Sequence, residues 1–278
     1  MRVTVVATPD PPPKGIPNPI HAEDGATGAG YKGALVAGVR TYGWVADAVR
    51  SVAGSAWLAH GWADVTLRRP LYAGEAVDID VEPSGAPESW TVRASVGGTR
   101  VVLDGEVGLG VATWSDTLHV PAKSPGLPPP TVRPTYGLDD VPKRQPLRPL
   151  AAYVTKEAAL RLATEELGLE RSDLPTGALH PWFLAGRMAP LTRHNFTYGP
   201  TIHVRSQIQH TSIGTADHEI TVGAQIVDAY ERNEHWYQVL DGSIWDDTGL
   251  ELARLRHTTI FRPRGTVMPP PIVTPDAT

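Results

Sequence analysis

The sequence of 278 residues contains no cysteine, which excludes disulfides, thiolate metal sites and a cysteine nucleophile. No apolar run approaches the roughly 18 residues of a membrane-spanning helix, and the opening run Val3 to Ala7 is too short for a signal peptide. No basic stretch is present to neutralise phosphates, and the net charge is −5, so neither nucleic acid nor a membrane surface is an expected partner. These absences predict a cytoplasmic protein.

What is present is typical of a globular chain, with 41% hydrophobic and 20% charged residues. The length exceeds the roughly 100 to 200 residues of one domain. Proline marks the boundaries, because Ser115 to Pro149 holds nine prolines and the tail from Pro263 contains three in a row. We therefore predict an N-terminal domain (1–114), a linker (115–150), a C-terminal domain (151–262) and a tail (263–278).

Both predicted domains have the same order of elements. Apolar residues recur every three or four positions between Gly33 and Ala53, which predicts a helix, and four alternating strand patterns follow it. In the second half a short helix near Thr155 to Leu167 precedes an apolar segment from Leu179 to Phe196, then four more strands. Pro190 should kink or end that apolar segment.

This repeated pattern predicts an α+β fold in which two antiparallel sheets each wrap a central helix. The two sheets can pair edge to edge, which would hide two of their exposed edges.

The most informative motif is Asn18-Pro19-Ile20-His21, followed by a glycine-bearing loop from Gly30 into the first long helix. It resembles the signature of the MaoC-like (R)-specific enoyl-CoA hydratases, a hot-dog family, and the second half matches again at Pro200 to Val204. The resemblance implies a double hot-dog fold and a hydratase or dehydratase, a lyase, acting on a 2-enoyl or 3-hydroxyacyl thioester of CoA or a carrier protein.

The resemblance also implies roles for residues. His21 would transfer protons, since an imidazole titrates near neutral pH, and Asn18 would position the water or the thioester. A backbone amide at Gly33 or Ala34 would stabilise the enolate-like charge at the start of the helix. Ile16 occupies the position of the family's catalytic aspartate and cannot accept a proton. Asp10, Glu23 or Asp24 would replace that carboxylate if the proline-rich lead-in folds back.

Other residues are predicted to contact substrate. Tyr31, in the entry loop, and Val36 and Gly38 beside the helix are expected in the binding site, while Trp44 and Trp182 would line an acyl tunnel or fill the core. Candidates for the phosphates of the carrier are Arg68, Arg69, Arg187 and Arg193.

Other histidines are interpreted as structural. His203 and His210 lie seven apart on a predicted strand and so on opposite faces unless a bulge intervenes, and we expect no metal and no cofactor. His180 would cap the second helical segment or act as an alternative catalytic imidazole. We expect solvent-exposed surface positions for His60, His218, His235 and His257.

Three alternatives to the lyase remain. Asn-Pro-x-His is also the pattern of a simple capped turn. The fold could serve as a repurposed scaffold, either a tailoring cyclase or a non-catalytic acyl-binding protein. An acyl thioesterase would need a carboxylate near the central helix, where Asp47 is the one available. The chain is expected to be a monomer or a homodimer.

Overall fold

The computed structural model describes residues 1–11, 17–168, 174–175 and 177–273, and most of its strands form one ten-stranded sheet. The strands of the first half are β1 (Arg2–Val6), β2 (Gly61–Leu67), β3 (Ala76–Pro83), β4 (Ser89–Val96) and β5 (Arg100–Leu109). Those of the second half are β7 (Leu150–Val154), β8 (Ile202–His210), β9 (His218–Arg232), β10 (His235–Asp246) and β11 (Glu251–Arg262). A separate two-stranded sheet pairs β6 (Val132–Arg133) with β12 (Ile272–Val273).

The strand order of the large sheet is symmetric about its middle: β1-β3-β4-β5-β2-β8-β11-β10-β9-β7. The central pair β2 and β8 is antiparallel, with register from Trp62 opposite Gln209 to Thr66 opposite Arg205. The two half-sheets are therefore joined edge to edge, as expected. The edge strands β1 and β7 were not predicted; each has only five residues, and β1 lies on the sheet edge with half-exposed side chains.

Six α-helices accompany the sheet in the part of the chain that the structure describes, and none of them is long and apolar enough to cross a membrane. They are α1 (Glu23–Gly28), α2 (Gly38–Ala53), α3 (Trp57–His60), α4 (Lys156–Arg161), α5 (Pro181–Ala185) and α6 (Met188–Asn195).

The long central helix of the first half, α2, buries Tyr42, Val45 and Val49 in the main hydrophobic core. It begins at Gly38, five residues later than the sequence pattern predicted. The reason is that the preceding backbone is already bonded elsewhere: the amide of Leu35 donates to Ile20 O and the amide of Val36 donates to Leu71 O. These extended residues cannot also form helical hydrogen bonds.

The central segment of the second half is broken into α5 and α6, but not by Pro190 as predicted. Pro190 is the third residue of α6, where an amide has no intrahelical acceptor and its loss costs nothing. The break lies at Gly186 and Arg187, between the two helices.

The proline-rich linker lies against the second half of the sheet. The amide of His119 donates to Asp241 Oδ2 over 2.7 Å, and Gln225 Nε2 donates to His119 O over 2.7 Å. The tail joins the linker through β12 and β6. Both proline-rich stretches are thus attached to the second half.

Candidate functional site

The Asn18-Pro19-Ile20-His21 motif forms a 3₁₀ turn in which Asn18 is the cap and Pro19 the first turn residue. Asn18 Oδ1 accepts from the amide of Ile20 at 3.4 Å and from the amide of Thr201 at 3.0 Å, and its Nδ2 donates to Thr201 O at 2.8 Å. The turn of the first half is therefore fixed to the residue just before β8 in the second half. In the sequence Thr201 belongs to the repeat at Pro200 to Val204, and nothing in that pattern predicts its contact with Asn18.

His21 lies at the end of that turn with about a quarter of its side chain exposed. Its Nδ1 is 2.8 Å from Leu35 O and 3.0 Å from Asp10 Oδ2, and its Nε2 is 3.3 Å from Asn18 Nδ2. One tautomer satisfies all three contacts, with the proton on Nδ1 and the Nε2 lone pair facing the amide donor of Asn18. The basic nitrogen of His21 therefore points away from the carboxylate.

Asp10, one of the three carboxylates that the sequence offered as a replacement, lies beside His21. Its oxygens also accept from the amide of Ala37 at 3.0 Å and from Arg40 Nη1 at 3.0 Å. Burial raises the pKa of the Asp10 carboxyl, but the hydrogen bonds and charges of His21 and Arg40 outweigh it and hold the pKa below its usual value. Asp10 is thus an anion near neutral pH. Ile16 lies outside the described residues.

Arg40 explains why Asp10 lies at this position. It is 3% exposed on the first turn of α2, and its Nη1 donates to the carbonyls of Thr8 and Pro9 at 2.8 Å each. Its Nη2 donates to Thr8 Oγ1 and to Glu166 O in the second half. A buried guanidinium with these partners fixes the segment before the turn against α2.

The start of α2 faces the same carboxylate. The amide of Ala37 is bonded to Asp10, whereas those of Gly38 and Val39 belong to the first turn, where no intrahelical acceptor exists. Gly33 does not lie at the helix start, and the neighbouring amide of Ala34 already donates to Glu23 Oε2 at 3.1 Å. An amide donor at the helix start is therefore better represented by Gly38 than by Gly33.

Gly38 is also a point of close packing between the two halves. A Cβ at this position would lie 2.4 Å from Leu67 Cδ2 and 2.9 Å from His203 Nδ1. Glycine is needed here because β2 of the first half and β8 of the second both approach the helix backbone.

The remaining predicted substrate contacts separate into two groups. Tyr31 packs beside Ile20 in a small apolar cluster, and Val36 is buried next to the residue whose carbonyl meets His21. Trp44 and Trp182 lie in the main core, where Trp44 Nε1 donates to Leu167 O at 2.7 Å. The first pair adjoins the turn, although Val36 also belongs to the main core that holds the second pair.

The histidines of β8 lie on one face, contrary to the expectation of opposite faces. A register shift between β8 and β11 leaves Val204 without a ladder partner, and such a bulge reverses the alternation of side chains. His203 Nε2 consequently lies 2.8 Å from Ser206 Oγ, which is 3.0 Å from His257 Nδ1. His257 is buried, so its predicted surface position is wrong.

His203 and His210 nevertheless have different neighbours. The ring of His210 packs edge-on against Trp57, with centroids 5.1 Å apart. No group of three metal-ligating side chains occurs among residues 1–11, 17–168, 174–175 and 177–273.

His180 caps α5, as one of its two interpretations predicted. Its Nδ1 accepts from the amide of Trp182 at 3.2 Å, and its side chain is 2% exposed. Burial lowers the pKa of His180 to about 3, so the imidazole is neutral at ordinary pH.

No protein-family model matches the sequence, and no curated protein matches it. Solved structures do share its architecture. A candidate MaoC-domain dehydratase from Chloroflexus aurantiacus is 11% identical, with TM-score 0.59 and coverage of 89% of this chain and 88% of that one. A candidate thioesterase from Novosphingobium aromaticivorans is 16% identical, with TM-score 0.54 and coverage of 94% and 95%.

A third similar structure is a conserved hypothetical protein from Mycobacterium tuberculosis, described as a double hotdog fold. It is 11% identical, with TM-score 0.54 and coverage of 86% of both chains. At these identities the similarity shows the fold alone. The chain has the α+β double hot-dog fold that its motif predicted, and its structural neighbours include MaoC-like dehydratases.

Proposed function

We propose that this protein is an enzyme that adds water to a 2-enoyl thioester or removes it from a 3-hydroxyacyl thioester. The observation that carries the proposal is the 3.0 Å contact between Asp10 Oδ2 and His21 Nδ1 at the start of α2. The aspartate missing from the motif has a replacement from the preceding segment. A simple capped turn would not require a carboxylate there.

In the hydration direction, water displaces the Asn18 amide from His21 Nε2, which takes a proton from the water while the water oxygen bonds to the β-carbon of the enoyl group. Asp10 accepts a hydrogen bond from the Nδ1–H group of His21 and stabilises the imidazolium that forms. The imidazolium then returns the proton to the α-carbon. One water has then been added across the double bond.

During this step negative charge develops on the thioester oxygen. The amide of Gly38, at the positive end of the 16-residue helix α2, is suited to stabilise it. Asp10 already occupies the amide of Ala37. His21, as the base, and the amide of Gly38, as the proposed oxyanion donor, would thus lie on either side of the Asp10 carboxylate.

Hydrolysis of an acyl thioester is the second candidate. A base held by a carboxylate can direct water to a carbonyl carbon as well as to an alkene, and one structural neighbour is a candidate thioesterase. Asp47 is a poor choice for this role, because it pairs with Arg50 at 2.8 Å, more than two turns beyond the start of α2. Hydrolysis would therefore use the same Asp10 and His21.

The test is to incubate the protein with crotonyl-CoA and longer trans-2-enoyl-CoAs. Loss of the conjugated absorbance reports hydration, and release of free thiol reports hydrolysis. His21→Ala and Asn18→Ala are compared with His60→Ala, which removes an exposed histidine of the same half. We expect the wild type to catalyse hydration. His21→Ala should reduce the rate by roughly 10²-fold or more, and His60→Ala should leave it unchanged.

Thiol release that depends on His21 would instead establish the thioesterase. If neither reaction occurs with any chain length, the proposal fails in favour of a scaffold that binds or cyclises an acyl chain.

A further inference from the structure

Arg193 is a buried cation close to the candidate site. It lies on α6 with 6% of its surface exposed. Its Nη2 donates to Gly199 O at 3.2 Å and to Thr201 Oγ1 at 3.1 Å, both of which are uncharged acceptors. Burial lowers the pKa of Arg193 to about 10, which leaves the guanidinium protonated at neutral pH.

This environment differs from that of Arg40, the other buried arginine among the residues that the structure describes. Arg40 has the carboxylate of Asp10 at 3.0 Å. In the part of the chain that the structure describes, no carboxylate pairs with Arg193. A buried guanidinium without a counter-ion is costly, and an anion that arrives with a ligand would offset that cost.

The position of Arg193 indicates where that anion would lie. Thr201, which accepts from Arg193 through its hydroxyl, is the same residue whose backbone holds Asn18. Asn18 in turn contacts His21 Nε2. The guanidinium is therefore connected to the proposed base through two hydrogen-bonded residues, Thr201 and Asn18.

We propose that Arg193 binds a carboxylate on the acyl group of the substrate, so that the preferred substrate is the monothioester of a dicarboxylic acid. The inference rests on the proposed acyl-thioester chemistry and names its substrate class. A guanidinium matches the planar, bidentate geometry of a carboxylate. The carrier phosphate is a poorer occupant, because the whole pantetheine arm separates it from the thioester.

The test compares crotonyl-CoA with fumaryl-CoA, in which a carboxylate replaces the terminal methyl group. We expect kcat/KM to be at least about tenfold higher for fumaryl-CoA, as befits a charge-assisted pair. Arg193→Gln should abolish that preference, and Arg193→Lys should keep part of it. Thermal unfolding of each variant shows whether it is folded.

Arg161→Gln is the control, because Arg161 is the last residue of α4 in the same half and its side chain is exposed. It should retain the wild-type preference. Equal kcat/KM values of the wild type for crotonyl-CoA and fumaryl-CoA would overturn the proposal. So would an effect of Arg193→Gln on CoA thioesters but not on phosphate-free pantetheine thioesters, since the anion would then be the phosphate.

A binding measurement tests the carboxylate site independently of the proposed reaction. If neither thioester is turned over, equilibrium dialysis compares succinyl-CoA with butyryl-CoA, which differ by the same exchange of carboxylate for methyl. Tighter binding of succinyl-CoA that Arg193→Gln removes would support the carboxylate site even though the hydratase proposal had failed. Equal binding of the two would overturn it.

Discussion

The two halves of the sheet have the same strand order, yet the starts of their central helices differ. At α2, His21 is partly exposed and contacts the carboxylate of Asp10. At α5, which begins the corresponding segment, His180 is 2% exposed and caps its own helix. Among the described residues no carboxylate forms an ion pair with His180, and its imidazole is held neutral. One fold repeated twice therefore gives two similar positions with different chemistry.

The difference arises from the segment that precedes each helix. In the first half, Arg40 attaches the backbone of Thr8 and Pro9 to α2 and so delivers Asp10 to the site. In the second half, Ala178 and Leu179 precede the capping histidine, and both are buried. The topology places a helix start at each site, but local side chains decide whether it is polar and open or apolar and closed.

The largest expected effect follows from removing the charge of Asp10. Asp10→Asn should lower kcat/KM by about 10²-fold to 10⁴-fold, because the amide cannot stabilise the imidazolium of His21. Asp47→Asn, which changes a carboxylate paired with Arg50, should leave the rate unchanged. Steady-state kinetics with thermal unfolding as a folding check decides the matter, and wild-type activity in Asp10→Asn would remove the basis of the proposed mechanism.

Acid should destabilise the protein through histidines of the second half. Burial lowers the pKa of His180 to about 3 and those of His210 and His257 to about 4. Because these values lie below the unfolded pKa, the unfolded chain binds protons that the native state excludes. The contribution of these histidines to the free energy of unfolding is fully present above about pH 6.5. It falls toward pH 4 by up to about 1.4 kcal/mol per pH unit for each histidine.

Urea unfolding at several pH values measures this slope. His210→Phe preserves an edge contact with Trp57 and should reduce the slope by the share of one histidine. A flat pH dependence of the wild type would contradict the assignment of neutral buried histidines.

Packing between the halves at α2 predicts a smaller effect. Gly38→Ala should lower the free energy of unfolding by about 1 to 3 kcal/mol, since the new methyl group would overlap Leu67 and His203. Gly28→Ala is the control, because no heavy atom lies within 4 Å of its added Cβ. Equal urea midpoints for the two variants would show that His203 of the second half does not pack closely against the start of α2.

The smallest effect is expected at the closed site. His180→Asn keeps a side chain that caps helices well, so unfolding should change by about 1 kcal/mol or less and turnover should not change. The same substitution at His21 should abolish turnover. If both variants lost activity with their folds intact, the second half would contribute chemistry of its own.

Much of the fold could be predicted because it depends on periodicity. The repeated helix-then-strands order and the motif around His21 indicated a double hot-dog, and edge pairing through β2 and β8 followed from the need to cover strand edges. Predictions failed where a local rule met a competing contact. Helix α2 starts late because Leu35 and Val36 are bonded elsewhere, and the β8 histidines share a face because of a bulge at Val204.

The candidate site divides in the same way. The sequence by itself determined that Asn18 caps a turn ending in His21, because an Asn-Pro pair fixes its own backbone. Only the tertiary structure decided that Asp10, rather than Glu23 or Asp24, meets that histidine, and that Thr201 and Arg193 lie behind Asn18. Those contacts join residues up to 183 positions apart, and such pairings depend on how the two halves pack rather than on any local pattern.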